Sequence, residues 1–132
     1  MSNGLTTLQS NFSVKETIDR IVSIAQSKGI TIFARIDHAA NAIQSGLTLR
    51  PTELLIFGNP KAGTFLMQDN QTSGIDLPLK FLAWEDESGK AWLTYNDLNW
   101  LAERHNLAEK SSATLKAIGE SIMVISNEMV KR

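Results

Sequence analysis

The sequence predicts one α+β domain built on a mainly antiparallel sheet of about five strands with long helices packed on one face. Three observations carry that expectation. An apolar stripe of helical period after Ser13 gives way to a segment of period two, Glu87-Ser88-Gly89-Lys90 has the composition of a hairpin turn, and the C-terminal stretch returns to helical spacing. The expected order is β-α-β-β-(short α)-β-β-α. The 132 residues suit a single domain, 1–132, able to bury roughly two thirds of its unfolded surface.

Leu5 to Phe12, Thr-rich and partly apolar, reads as an edge strand that stops at a capping box, Ser13-Val14-Lys15-Glu16. Val14, Ile18, Ile21, Val22 and Ala25 then recur at spacings of three and four, and Lys28-Gly29 ends that helix. In Ile30 to Asp37 the alternation puts Ile30, Ile32, Ala34 and Ile36 on one side and Thr31, Phe33, Arg35 and Asp37 on the other.

His38 to Gly46 is Ala-rich and suits a short helix or turn, after which Arg50-Pro51 restarts the chain in extended form. Thr52 to Phe57 reads as the third strand. Asn59 can cap a short helix through Met67, with Pro60 at the first helical position, where its missing N–H costs nothing. Asp69 to Gly74 reads as a loop, and Leu77 to Glu85 and Ala91 to Tyr95 as the hairpin strands.

Asp97 caps a helix with Leu98, Leu101, Ala102 and His105 on one face. A last helix, about 111–130, repeats Leu115, Ile118, Ile122, Ile125 and Met129. Thr52 to Phe57 and Leu77 to Trp84 are apolar at successive positions, which predicts cover on both faces of the sheet.

Hydrophobic residues at 42% and charged residues at 20% are an ordinary globular balance. Thirteen Lys and Arg against fourteen Asp and Glu leave a formal charge of -1, so no basic field would release counterions from a nucleic acid, and no nucleic-acid partner is expected. No apolar run is long enough to span a membrane and Met1 to Leu8 does not read as a leader; no membrane partner and a cytoplasmic location are expected. With no cysteine, thiolate nucleophiles, iron–sulfur clusters, disulfides and Cys-rich zinc sites are excluded.

From Ile30 to Asn106 a series of short motifs follows in order: Asp37-His38, Leu49-Arg50-Pro51-Thr52-Glu53, Phe57-Gly58-Asn59-Pro60 and Gly63-Thr64-Phe65-Leu66-Met67. Asp76-Leu77-Pro78-Leu79-Lys80, Trp84-Glu85-Asp86 and Tyr95-Asn96-Asp97 continue it. The combination resembles the domain of unknown function 302 family. The resemblance implies a TATA-binding-protein-like α+β fold, a curved, mainly antiparallel sheet backed by helices, and a homodimer, and it brings no established activity. Leu98 stands where the family pattern has Pro, which bears on the shape of that turn. Likeness of fold to a DNA-binding saddle is no warrant for DNA binding, because function resides in the site.

Gly58, Gly63 and Thr64 have the glycine spacing of a phosphate-binding loop, but Thr64 occupies the lysine position and Pro60 removes a donor. Anion binding at this helix N-terminus, helped by Lys61, is the weaker version of the same idea. Asp69, Gln71, Ser73 and Gly74 imitate an EF-hand loop whose twelfth residue is Lys80 instead of Glu. Gln44-Ser45-Gly46 lacks the leading glycine of a nucleophile elbow.

His38 and His105 are the only histidines, so a metal site would need Asp37, Glu53 or Asp76 to join one of them; no metal and no cofactor are expected. The plainer readings are a cap or loop hydrogen bond for His38 and a helix C-terminal position for His105. Trp84, Trp92 and Trp100 recur every eight residues, and we read them as core anchors of two strands and a helix.

The expected site is the second face of the sheet, where Phe33 stands with Arg35, Asp37 and Glu53. The candidate ligand-binding set is Arg35, Asp37, His38, Glu53, Asn59, Lys61, Lys80 and Tyr95, with a small anion as candidate ligand. The expected function is a dimeric small-molecule-binding or protein-interaction module. The alternative is an enzyme with His38 or Glu53 as general base and Arg35 or Lys80 clamping an anionic substrate.

Overall fold

The structure is a computed structural model, and residues 3–130 are described. Five antiparallel strands lie in the order β1-β5-β4-β3-β2: β1 Leu5–Gln9, β2 Thr31–Asp37, β3 Thr52–Gly58, β4 Leu79–Glu85 and β5 Ala91–Asn96. The helices are α1 Val14–Ser27, α2 His38–Gln44, α3 Pro60–Asp69, α4 Leu98–Arg104 and α5 Ser112–Val130. Short 3-10 turns cover Gln71–Asp76 and Glu109–Ser111. Among the described residues no helix is long and apolar enough to cross a membrane.

The α1 stripe forms as its spacing predicts: Val14, Ile18, Ile21 and Ala25 are buried. Ser13 Oγ accepts from Glu16 N at 3.1 Å, while the Glu16 carboxylate pairs with Arg20, so only half of the expected capping box is made. β1 stops at Gln9, earlier than expected, because Ser10 Oγ turns to Thr17 Oγ1 at 2.6 Å and Asn11 N donates to Met129 O. The segment expected as a loop after Asp69 is a 3-10 turn capped by Asn70.

One layer of core lies between the sheet and the long helices. Leu55, Phe57, Phe81, Ala83 and Leu93 meet Val14, Ile18 and Ile21 of α1 and Ile122, Ile125 and Met129 of α5. Burying each of the larger aliphatic side chains contributes about 1.5–3 kcal/mol, so this layer dominates the stabilisation. Phe57 and Phe81 stack at 4.7 Å, and Tyr95 meets Phe81 edge-on at 5.5 Å.

A bulge in β2 decides which side chains face this layer. Ile32 pairs with Phe57 and Ala34 with Ile56, so Phe33 is the extra residue. Beyond it the parity is reversed. Arg35 and Asp37 stand opposite Leu55 and Glu53 on the helix side, and Ala34 and Ile36 fall on the second face. The strict alternation expected across Ile30 to Asp37 is therefore broken, and the expected group of Phe33, Arg35, Asp37 and Glu53 on the second face does not form.

Candidate functional site

Across β2 to β5 the second face carries Ala34, Ile36, Leu54, Ile56, Leu82, Trp84 and Trp92, all half-buried and none part of the core layer. The long helices α1 and α5 pack on the opposite face, which corrects the expectation of cover on both faces. Trp84 and Trp92 are direct partners in the hairpin and stack with centroids 6.2 Å apart. They belong to this face and not to the core. The turn from Asp86 to Lys90 puts the two indoles at equal distances from its centre, a signal the sequence carries for anyone who counts outward from the turn.

The polar atoms around the indoles are satisfied within the chain. Trp84 Nε1 donates to Thr94 Oγ1 and Trp92 Nε1 to Asp86 Oδ2, both at 2.8 Å. Thr94 and Thr7 share a hydrogen bond of 2.8 Å, and Lys80 Nζ donates to Pro78 O at 3.2 Å.

Arg35 and Glu53 form a latch beneath α1. Arg35 Nε donates to Glu53 Oε1 at 2.7 Å, Nη1 to Asp19 Oδ1 at 2.7 Å, and Nη2 to Lys15 O at 3.4 Å. Burial works against the Arg35 charge, but the bonds to Glu53 and Asp19 outweigh it and raise the group above its ordinary value. Hydrogen bonds from Lys15 and then Arg35 hold Asp19 below its own. The arrangement fastens a helix to a sheet.

The remaining candidates are spread over the molecule. Asp37, not His38, is the N-cap of α2, its Oδ1 accepting from Ala40 N at 2.9 Å; His38 is the first helical residue and exposed. Tyr95 packs on the core edge. The hollows beside α3 and between α4 and α5 are lined by none of His38, Glu53, Arg35 or Lys80, so no general base shares one of them with the expected cation clamp.

At the start of α3, Asn59 Oδ1 accepts from Lys61 N and Ala62 N, and Gly63 N donates to Asn59 O. The amides that would hold an anion are already engaged, which removes the helix-terminus version of anion binding. Lys61 itself projects over the Phe65 ring at 5.9 Å.

His105, buried just past α4, pairs through Nε2 with Asp76 Oδ2 at 2.5 Å, and its Nδ1 lies 3.2 Å from Thr72 Oγ1. Arg104 also reaches Asp76, and Asn70 Nδ2 donates to His105 O. Asp76 thus joins a histidine, in a contact that ties the 3-10 turn to α4. Among the described residues no group of three metal-ligating side chains comes together.

This is an open-faced α+β domain with a structural polar periphery. The chain belongs to the family described as "Domain of unknown function DUF302", which matches residues 6–124. Its fold is similar to that of an uncharacterized conserved DUF302 protein from Bacillus stearothermophilus, with a TM-score of 0.83 at 16% identity, covering 97% of this chain and 99% of that one. It is also 54% identical over 118 residues to "Fluoride-specific ion channel FluC 1" of Brucella suis biovar 1 (strain 1330), covering 89% of this chain and 46% of that protein. "Fluoride-specific ion channel FluC 2" of Brucella melitensis biotype 1 matches with the same identity over 44% of its length. The chain therefore spans under half the length of these curated relatives.

Proposed function

We propose that the chain is a non-catalytic, cytoplasmic pairing module that joins a second copy of itself through the open face of its sheet. The observation that carries this is the apolar run Ile36, Leu54, Ile56, Leu82, Trp84 and Trp92 on a face that no long helix covers. Both indole N–H donors are used within the chain, which leaves little to orient a small polar ligand and favours a second apolar surface. A twofold contact lets the same patch serve both partners.

Strand spacing and rise give this face a footprint of roughly 20 Å by 20 Å. That lies below the standard size of specific interfaces, so a weak, concentration-dependent pair is expected. Sedimentation equilibrium over a concentration series tests the reading. Wild type should pass from monomer to dimer, and Trp84→Glu should stay monomeric with an unchanged far-UV spectrum. A strict monomer at the highest concentration, or a dimer that survives Trp84→Glu and Leu54→Glu together, would overturn it.

The curated relatives favour a second reading, in which the face docks on a fluoride-channel partner. In those proteins a domain like this one shares a chain with at least as much other sequence. Deleting the matching region from the Brucella suis protein and measuring fluoride efflux from vesicles tests it; unchanged efflux and unchanged assembly would remove it.

A further inference from the structure

An apolar cavity of about 250 Å³ opens where β3 ends and α3 begins, walled chiefly by Phe33, Pro60, Met67, Leu77, Pro78 and Ile118. Small residues keep it open. A Cβ built on Gly63 would meet only Met67 Cε, at 3.9 Å, and one on Gly58 would meet Pro78 and Phe33 at 3.8 and 3.9 Å. The polar side chains at its wall are occupied: Asn59 Oδ1 caps α3, and Thr64 Oγ1 donates to Pro60 O at 2.7 Å. A dry apolar void of about 150 Å³ takes benzene, so this one has room for a short alkyl chain or a fused aromatic ring.

A second hollow of about 450 Å³ adjoins it, sharing Asn59, Ala62 and Ile118, and carries Lys28 and Lys61. No carboxylate lines either hollow. Among the described residues neither lysine forms an ion pair, although Lys15, Arg20, Arg35, Arg104 and Lys110 all do. An apolar pocket thus opens beside two unneutralised cations, the arrangement that recognises an acid with an apolar tail.

We propose that the two hollows form one binding site for a small amphiphilic carboxylate, its alkyl or aromatic body in the cavity and its head between Lys28 and Lys61. The site lies apart from the open sheet face and does not depend on pairing through it. A ligand seated there would touch β2, β3, α3 and α5 together.

The test uses octanoate and its neutral counterpart 1-octanol, titrated into the full chain and followed through the Met67 methyl and the Gly58 and Gly63 amides by NMR. Octanoate should bind roughly fivefold more tightly than 1-octanol, the contribution of two exposed lysines. Lys28→Gln/Lys61→Gln should bring octanoate down to the 1-octanol value, and Gly63→Leu should abolish both. The surface double variant keeps the test intact if Gly63→Leu does not fold. Equal binding of the two probes by wild type, shifts concentrated on the Trp84 and Trp92 indoles, or no response of Met67 at millimolar octanoate would overturn the proposal.

Discussion

Arg35 and Glu53, residues of neighbouring strands, form a 2.7 Å ion pair in which the carboxylate is almost fully buried and the guanidinium also holds Asp19 of α1. A largely buried carboxylate stripped of its cation is left without a matching charge. Arg35→Met should therefore cost about 2 kcal/mol in urea unfolding, and Arg35→Met/Glu53→Met less than that single change. A double variant weaker than Arg35→Met alone would show that the latch is not the reason.

The stacked indoles of Trp84 and Trp92 should give an exciton couplet in far-UV circular dichroism. Replacing either one by Phe removes the whole couplet while the unfolding midpoint moves only modestly, because both rings sit outside the core layer. A couplet that persists in one of the single variants would contradict the stacking.

Asp86 organises the hairpin turn. It accepts from Trp92 Nε1 and from the Lys90 and Ser88 amides, and these bonds, the indole's first, lower its pKa. The unfolded carboxyl titrates near pH 4 by its ordinary value, about 3.9. A depressed folded value means that the stabilisation is complete above about pH 4 and is lost as pH falls through the folded pKa. Asp86→Asn should therefore be less stable than wild type at pH 7, and the gap should close in acid. A gap that stays constant from pH 7 to pH 2 would refute this.

Two glycines should respond in opposite directions to alanine. Gly4 has φ +82° and a Cβ there would lie 2.4 Å from Trp100, whereas a Cβ on Gly119, inside α5, meets only Leu98 at an ordinary 3.5 Å. Gly4→Ala should cost about 2 kcal/mol, and Gly119→Ala should gain about 0.5–1 kcal/mol, both read by thermal unfolding.

What the sequence determined by itself was most of what short-range physics controls. The α1 stripe, the Asn59-Pro60 helix start, the turn at Asp86 to Lys90 and the C-terminal helix depend on residues within a few positions of one another, and the order of elements along the chain and the family resemblance follow from such local segments. The tertiary structure decided the rest. The bulge at Phe33 moved Arg35 to the helix side, a change of parity that one inserted residue makes and no periodicity reveals. His105 found Asp76 from 29 residues away. The α3 cavity exists only because Phe33, Gly58, Pro78 and Ile118 converge from separate segments, and that convergence is set by packing, which sequence spacing does not encode.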